Sequence, residues 1–234
     1  MSDARPPVAI LAGGLGTRLR PAIGEHAKVM APVDGRPFVA RILDQVAAAG
    51  FRDVVLCVGF RADEVESALG ATHGPLHLRY SRETEPLGTA GALRHALPLL
   101  DGPELLVMNG DSFCDVELAA AWAWHRQRRS EATLVAVEVP DAARYGRLEL
   151  DAEDRVRRFT EKQDGGGAGW INAGVYFFAR ARIAALDAGG PLSLERDVLP
   201  VWAAASLLHG HRTRGRFIDI GTPGSYSAAS RFFQ

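Results

Sequence analysis

Only two of the 234 residues are cysteine, Cys57 and Cys114, and they show no recurring spacing and no CxxC. That excludes a disulfide framework and predicts buried, unpaired thiols in a reducing compartment. An excess of either charge is also lacking: 27 Lys and Arg stand against 28 Asp and Glu, a formal net charge of −1. Nothing in that balance draws the chain to nucleic acid or to an anionic membrane. No apolar run approaches the ~20 residues of a membrane span. The N-terminal run from Val8 to Ala12, cut off by glycine and then arginine, is too short for a signal-peptide core. The expectation is a cytoplasmic protein with neither nucleic acid nor membrane as partner. Catalytic signatures are scarce too, with no GxSxG, no evident Ser-His-Asp or Cys-His set and no His-rich metal motif. Internal repeats and low-complexity tails are absent.

What is present is an ordinary globular composition, 47% apolar and 24% charged, in a length that fits one large domain or two small ones. The first half alternates. Val8 to Ala12 reads as a buried strand. Phe38, Val39, Ile42, Leu43 and Val46 recur at helical spacing up to Gly50. Val54–Val58 is a strand apolar on both faces, Ala62–Leu69 a helix, Leu76–Tyr80 a strand, Thr89–Leu100 a helix and Glu104–Met108 a further buried strand. This rhythm predicts an α/β fold, a Rossmann-like, mostly parallel sheet flanked by helices, with ligands beyond the carboxyl ends of its strands.

After about residue 130 the rhythm changes. Ala132–Val139, Arg147–Leu150, Arg155–Glu161 and Asn172–Phe178 read as strands. A helix from about Arg180 to Leu186, a short strand Phe217–Ile220 and a terminal helix Ser225–Phe233 follow. One unit over 1–234 is expected, an α/β half over about 1–130 and a strand-rich, substrate-covering half over about 131–234, with no linker between. Gly165-Gly166-Gly167 reads as a mobile loop.

The first strand runs into Gly13-Gly14-Leu15-Gly16-Thr17-Arg18-Leu19-Arg20-Pro21. Such a turn lets backbone N–H groups approach phosphate oxygens, and Arg18 and Lys28 supply positive charge there. It is not a Walker loop, which closes on Gly-Lys-Ser/Thr, nor a dinucleotide fingerprint, whose third glycine is replaced by Leu19. A purely structural turn is the alternative for the glycines alone. Asn109-Gly110-Asp111 ends a buried strand and offers Asp111 as a Mg²⁺ ligand, or as an Asx turn. Asp219, among apolar neighbours before Gly221-Thr222-Pro223, is the best second donor, with a helix-capping acid as the alternative.

Together these segments resemble the sugar-1-phosphate nucleotidyltransferases, the nucleotide-sugar pyrophosphorylases. The resemblance runs nearly end to end, through Leu11 to Pro21, Lys28 to Val33, Pro86 to Gly91, Asn109-Gly110-Asp111, Tyr145-Gly146, Glu161-Lys162, Asn172 to Tyr176 and Asp219 to Pro223. The stretches beginning at Lys28, Asn172 and Phe217 look most like the bacterial D-glycero-D-manno-heptose 1-phosphate guanylyltransferases. The resemblance implies the nucleotide-diphospho-sugar transferase fold, cell-surface polysaccharide synthesis and a homodimer as candidate assembly. It also implies site roles. Leu11, Ala12, Gly13, Gly14, Gly16, Thr17 and Arg18 would hold the nucleoside triphosphate, with Lys28 bridging to the reacting phosphates. Glu83 or Glu85, with Gly88 and Thr89, would meet the base. Asp111 and Asp219 would hold Mg²⁺, and Gly146, Glu161, Lys162 and Asn172 the sugar phosphate. Two departures stand out: Val29 and Gln163 occupy positions where the family usually has proline, which frees the backbone after Lys28 and after Lys162. Some relatives carry a second, repeat-built domain; a chain running to Gln234 sets the expectation that it is absent.

The implied reaction is attack of a sugar 1-phosphate on the α-phosphorus of the triphosphate, expelling pyrophosphate. A phosphate monoester with a second pKa of about 6 needs no general base. Catalysis then reduces to positioning and charge neutralisation, and Arg18→Ala or Lys28→Ala is each expected to lower kcat roughly 10²–10³-fold. Paired carboxylate acceptors suit guanine N1–H and its amine, so GTP is preferred, although surface acids explain Glu83 and Glu85 equally well. The rival readings are a mannose-1-phosphate guanylyltransferase, a uridylyltransferase on another sugar, a dinucleotide-dependent oxidoreductase and a non-catalytic nucleotide-sugar sensor. Trp122 and Trp124 read as packing, His125 as a surface histidine, and Arg126, Arg128 and Arg129 as a basic helix end. His209 and His211, on one face of a strand, lack a third zinc ligand.

Overall fold

The computed structural model describes residues 5–160, 167–187 and 189–234. Its centre is the Val8–Leu11 strand, whose first three residues are fully buried. Asp53–Val58 pairs with it on one side and Glu104–Asn109 on the other, both parallel. Leu76–Arg82 extends the sheet beyond Asp53–Val58, again parallel. On the opposite side Gly169–Ala179 joins Glu104–Asn109 antiparallel and carries the later strands, including Ala132–Val139. Strands from both halves of the chain therefore form one ten-stranded sheet.

Alternation explains the two layers. Ile10, Leu56, Met108 and Phe177 face one apolar cluster, shared with Phe38, Ile42 and Val46 of the Phe38–Ala48 helix. Their neighbours Ala9, Val55, Val107 and Tyr176 face the other, shared with Ala90, Leu93 and Ala96 of the Gly88–Ala96 helix. A strand covered on both faces needs apolar residues at every position, which is why these runs are continuous. Each buried Leu, Ile or Phe contributes about 1.5–3 kcal/mol.

The expected elements are present, within a few residues at their ends. The predicted Thr89–Leu100 helix is α-helical over Gly88–Ala96 and tightens to a 3₁₀ turn at Leu97–Leu99, where Pro98 interrupts the α ladder. The Leu199–Ala204 helix and the π turn Leu194–Val198 before it were not anticipated. Both cysteines are buried and free. Of the triple-glycine loop only Gly167 is described.

His125 overturns its expected place at the surface. It is fully buried in a three-ring cluster with Trp122 and Phe177, with Nδ1 2.8 Å from the Thr133 hydroxyl. The helix Leu118–Arg128 turns it inward, where Phe177 offers an apolar face, Thr133 a partner for Nδ1, and Glu104 a carboxylate oxygen 3.6 Å from Nε2. Arg126 and Arg128 lie instead over the Trp122 and Trp124 rings. His209 and His211 both contact Trp124 edge-on, and no cluster of three or more metal-binding side chains occurs among the described residues.

Candidate active site

The chain crosses from one side of Val8–Leu11 to the other between Leu76–Arg82 and Glu104–Asn109, so a crevice opens beyond the carboxyl ends of Val8–Leu11 and Glu104–Asn109. There Leu11 and Asn109 are register partners. A pocket of about 560 Å³ fills this crevice, lined by the loops that follow four parallel strands. Leu11, Ala12, Gly13 and Gly14 come from the first, Gly59 and Phe60 from the second, Glu83 and Glu85 from the third, Asn109 and Asp111 from the fourth. Gly88 and Thr89 border it as well. A Cβ on Gly13 would lie 2.7 Å from Glu83 Oε1, so a larger residue there would push the Glu83 side chain aside. Glu83 is fixed by the Leu87 N–H, 3.0 Å from Oε2, and burial raises its pKa against that bond.

A second pocket of about 500 Å³ adjoins the first, lined by Arg18, Arg144, Tyr145, Gly146, Asn172 and Asp219 among others. Lys28, Asn109, Asp111 and Glu195 border both. Gly16 and Thr17 line neither; Gly16 accepts from the Leu19 and Arg20 N–H groups and shapes the loop. Arg18 is exposed and borders only the second pocket. Glu161 and Lys162, with Gln163, lie outside the described residues.

Two acids distant in sequence meet here. Ser112–Cys114 and Phe217–Asp219 form a short antiparallel ladder with Asp219 opposite Ser112, and the Ile220 N–H donates to the Asp111 carbonyl at 2.9 Å. Asp111 pairs with the Lys28 ammonium, and the Ser112 hydroxyl donates to its other oxygen at 3.1 Å. Burial pushes the Asp111 pKa up, but Lys28 and these bonds hold it below the usual carboxylate value. Lys28 itself is only 11% exposed. Val29 is buried, anchoring the turn that presents Lys28, so packing takes the place of the expected proline. Asp219 accepts from the Tyr145 hydroxyl at 2.6 Å, the Gly221 N–H at 2.7 Å and Arg144 Nη2 at 3.4 Å. Tyr145 is pushed well above its ordinary pKa by burial and by that carboxylate. The helix-capping role falls to Thr222, through a capping box with Ser225.

Sequence reasoning missed four participants. Asn109 and Tyr145 stood inside recognised motifs without a role, and Arg144 adjoined one. Buried Asn109 Oδ1 has no hydrogen-bond partner among the described residues. Glu195 lay in a stretch with no assignment, and no local signal marks it.

Against this geometry, residues 8–234 match the family described as Nucleotidyl transferase. The chain belongs to that family. Within it, the mannose-1-phosphate guanylyltransferase of Mycobacterium tuberculosis is 34% identical over 234 residues, 98% of this chain and 65% of the relative. The D-glycero-alpha-D-manno-heptose 1-phosphate guanylyltransferase of Aneurinibacillus thermoaerophilus is 32% identical over 225 residues, 96% of this chain and 97% of the relative. The crystal structure of HddC from Yersinia pseudotuberculosis superposes with a TM-score of 0.88 at 31% identity, covering 98% of this chain and all of that one. HddC has also been solved complexed with GMP-PN. This chain spans 58–65% of the length of the first mannose-1-phosphate relatives it matches. No helix among the described residues is long and apolar enough to cross a membrane.

Proposed function

We propose that the chain transfers a guanylyl group from GTP to a sugar 1-phosphate, releasing pyrophosphate, with D-glycero-D-manno-heptose 1-phosphate as first substrate and mannose 1-phosphate as alternative. The observation carrying this reading is the meeting of two pockets at one cation–carboxylate pair, Lys28 and Asp111. A nucleotide in the first and a sugar phosphate in the second bring a nucleophilic oxygen and an α-phosphorus to that junction. Guanine is favoured by Glu83 and Glu85 in the first pocket and by the guanine nucleotide carried by HddC. The manno-heptose relative aligns over nearly the whole of both chains, which supports the heptose.

The obstacle is repulsion, about 4 kcal/mol for each pair of unit charges ~4 Å apart at an effective dielectric near 20. Lys28 covers phosphate oxygens at the junction, and Arg18 and Arg144 line the sugar side. Asp111 and Asp219 suit Mg²⁺: they are hard oxygen donors bordering one pocket, leaving other positions for phosphate oxygens. When bound there, the metal would supply charge neutralisation at the transferring phosphoryl group. No side chain need take a proton from the substrate, since a phosphate monoester is already largely ionised near neutral pH. Pyrophosphate release screened over four nucleoside triphosphates and a panel of sugar 1-phosphates tests the reading. Release with GTP and a manno-configured sugar phosphate is expected; no release with any pair overturns it.

A further inference from the structure

The chain already matches Asp111 and Asp219 with cations of its own. Asp111 Oδ2 pairs with the Lys28 ammonium and Asp219 Oδ2 with Arg144 Nη2 at 3.4 Å, so two carboxylates face one ammonium and one guanidinium. The remaining contacts to both acids come from neutral donors. These are the Ser112 hydroxyl on Asp111 Oδ1, the Tyr145 hydroxyl on Asp219 Oδ2, and the Gly221 N–H and Ser225 hydroxyl on Asp219 Oδ1 at 2.7 and 3.4 Å. Among the described residues the one ion pair Lys28 makes is with Asp111.

Gly221 shows how near the ammonium comes to the second acid. A Cβ on it would lie 2.6 Å from Asp219 Oδ1 and 3.7 Å from Lys28 Nζ. Both groups therefore flank one spot on the pocket wall that glycine keeps clear. A divalent cation held by Asp111 and Asp219 brings the same charge that Lys28 and Arg144 supply together. It cannot simply be added, because an ammonium ~4 Å from a dication is strongly repelled where the effective dielectric is low. Lys28 has to exchange for it, and a compact charge on a flexible four-carbon stem suits exchange. Because Lys28 borders both pockets, phosphate oxygens in either can take the displaced ammonium.

We infer that Lys28 is the place-holding counter-ion of the metal site: in the substrate-free protein it competes with Mg²⁺ for Asp111, and it releases that carboxylate when phosphate oxygens take its ammonium. Arg144 holds Asp219 in the same way but less firmly, through a longer contact and a side chain 49% exposed. This rests on the Mg²⁺ role given to Asp111 and Asp219 above. Neutralising a cation of the reaction centre then tightens the binding of free metal, whereas loss of a residue that merely shapes the site would weaken it.

The test is titration of Mn²⁺ alone, an ion that favours the same oxygen donors, with no substrate present. Free Mn²⁺ is read by its EPR signal at about pH 8, so that protons do not compete for the carboxylates. Wild type, Lys28→Met, Lys28→Gln, Arg144→Met and Lys28→Met/Asp111→Asn are compared, with melting curves for each. Methionine keeps most of the apolar stem of lysine, and glutamine keeps a donor toward Asp111, so the two neutral variants check one another. Each Lys28 variant should bind Mn²⁺ about tenfold tighter than wild type or better, as expected when a facing charge is removed from a poorly solvated site. Arg144→Met should gain roughly two- to fourfold, the smaller effect of an exposed pair. The double variant should lose the gain. Folded Lys28 variants that bind Mn²⁺ no tighter than wild type overturn the inference alone. A gain that survives Asp111→Asn places the metal elsewhere and overturns the Mg²⁺ assignment with it. Pyrophosphate release by wild type judges the guanylyltransferase reading separately.

Discussion

Lys28→Ala and Arg18→Ala were expected from sequence to be equally damaging, and the structure separates them. Lys28 is 11% exposed and paired with Asp111 where the two pockets meet, whereas Arg18 is exposed on the rim of the second. At an effective dielectric near 20, a unit charge ~4 Å from a phosphate oxygen is worth about 4 kcal/mol; in bulk water the same contact is worth about 1 kcal/mol. Part of the Lys28 interaction is already made in the ground state, so about 2.7–4 kcal/mol is assigned to the transition state, or roughly 10²–10³ in kcat. For Arg18 the corresponding loss is about 5- to 10-fold. The substitution at Lys28 also strips Asp111 of the ammonium that holds its pKa below the usual value, leaving burial to raise it. The acid limb of the kcat profile should therefore move to higher pH in Lys28→Ala and stay in place in Arg18→Ala. The assay is initial-rate pyrophosphate release at saturating substrates from pH 5 to 9, with melting curves to verify folding. Lys28→Ala turning over within threefold of wild type, or Arg18→Ala falling as far as Lys28→Ala, refutes the reasoning.

His125, neutral in its buried slot, has its pKa lowered to about 4 from an ordinary 6.5. Its contribution to stability is complete above pH 6.5 and drains away as pH falls toward 4, roughly 3 kcal/mol in all. Urea unfolding at pH 7 and 4.5 should show about 2–3 kcal/mol of acid sensitivity that His125→Gln lacks; equal sensitivity in both proteins would dismiss the assignment. Gly88→Ala, which meets both a positive φ and the Leu192 carbonyl, should cost about 1–3 kcal/mol of stability and weaken nucleotide binding, and an unchanged Tm would contradict that contact. Glu83→Gln should reduce the preference for GTP over ATP by ~10-fold or more in kcat/KM, since it removes a charged acceptor. Asp219→Asn should raise the Mg²⁺ concentration needed for half-maximal rate at least tenfold, a shift that magnesium titration reads directly.

The sheet was legible because burial on both faces writes itself into consecutive residues. Val54–Val58 and Leu105–Met108 carry no polar residue, and they fall within the parallel strands Asp53–Val58 and Glu104–Asn109. The helix Ala62–Leu69 has the expected bounds and closes on Gly70 at φ +66°. What local pattern could not reveal was which way a residue faces when its partner comes from elsewhere. Thr133 follows His125 by only eight residues, but Phe177 arrives from the distant Gly169–Ala179 strand, and no local pattern announces the contact that makes a buried histidine tolerable.

The candidate site divides along the same line. Asp111 follows a parallel strand directly, so the rule that ligands gather at carboxyl strand ends was enough to single it out. Asp219 needed the further argument that an acid among apolar neighbours must have a partner, and Tyr145, Arg144 and the Gly221 N–H are those partners. Glu195 satisfies neither rule. It precedes no glycine turn, ends no strand, and sits in a π turn whose polar pattern resembles any solvated helix start. Its contacts come from Thr89, which the sequence reading gave another duty, and from Tyr176, which lay in a recognised motif without one. Gly88 and Thr89 were read from sequence as part of a base-binding turn; in space they, with Gly91, also hold Leu192–Glu195. A glycine–threonine turn can serve backbone packing as well as ligand contact, as the Gly88 and Thr89 contacts to Leu192 and Leu194 show. Here that segment supplies one of the two carboxylates, with Asp111, that border both pockets.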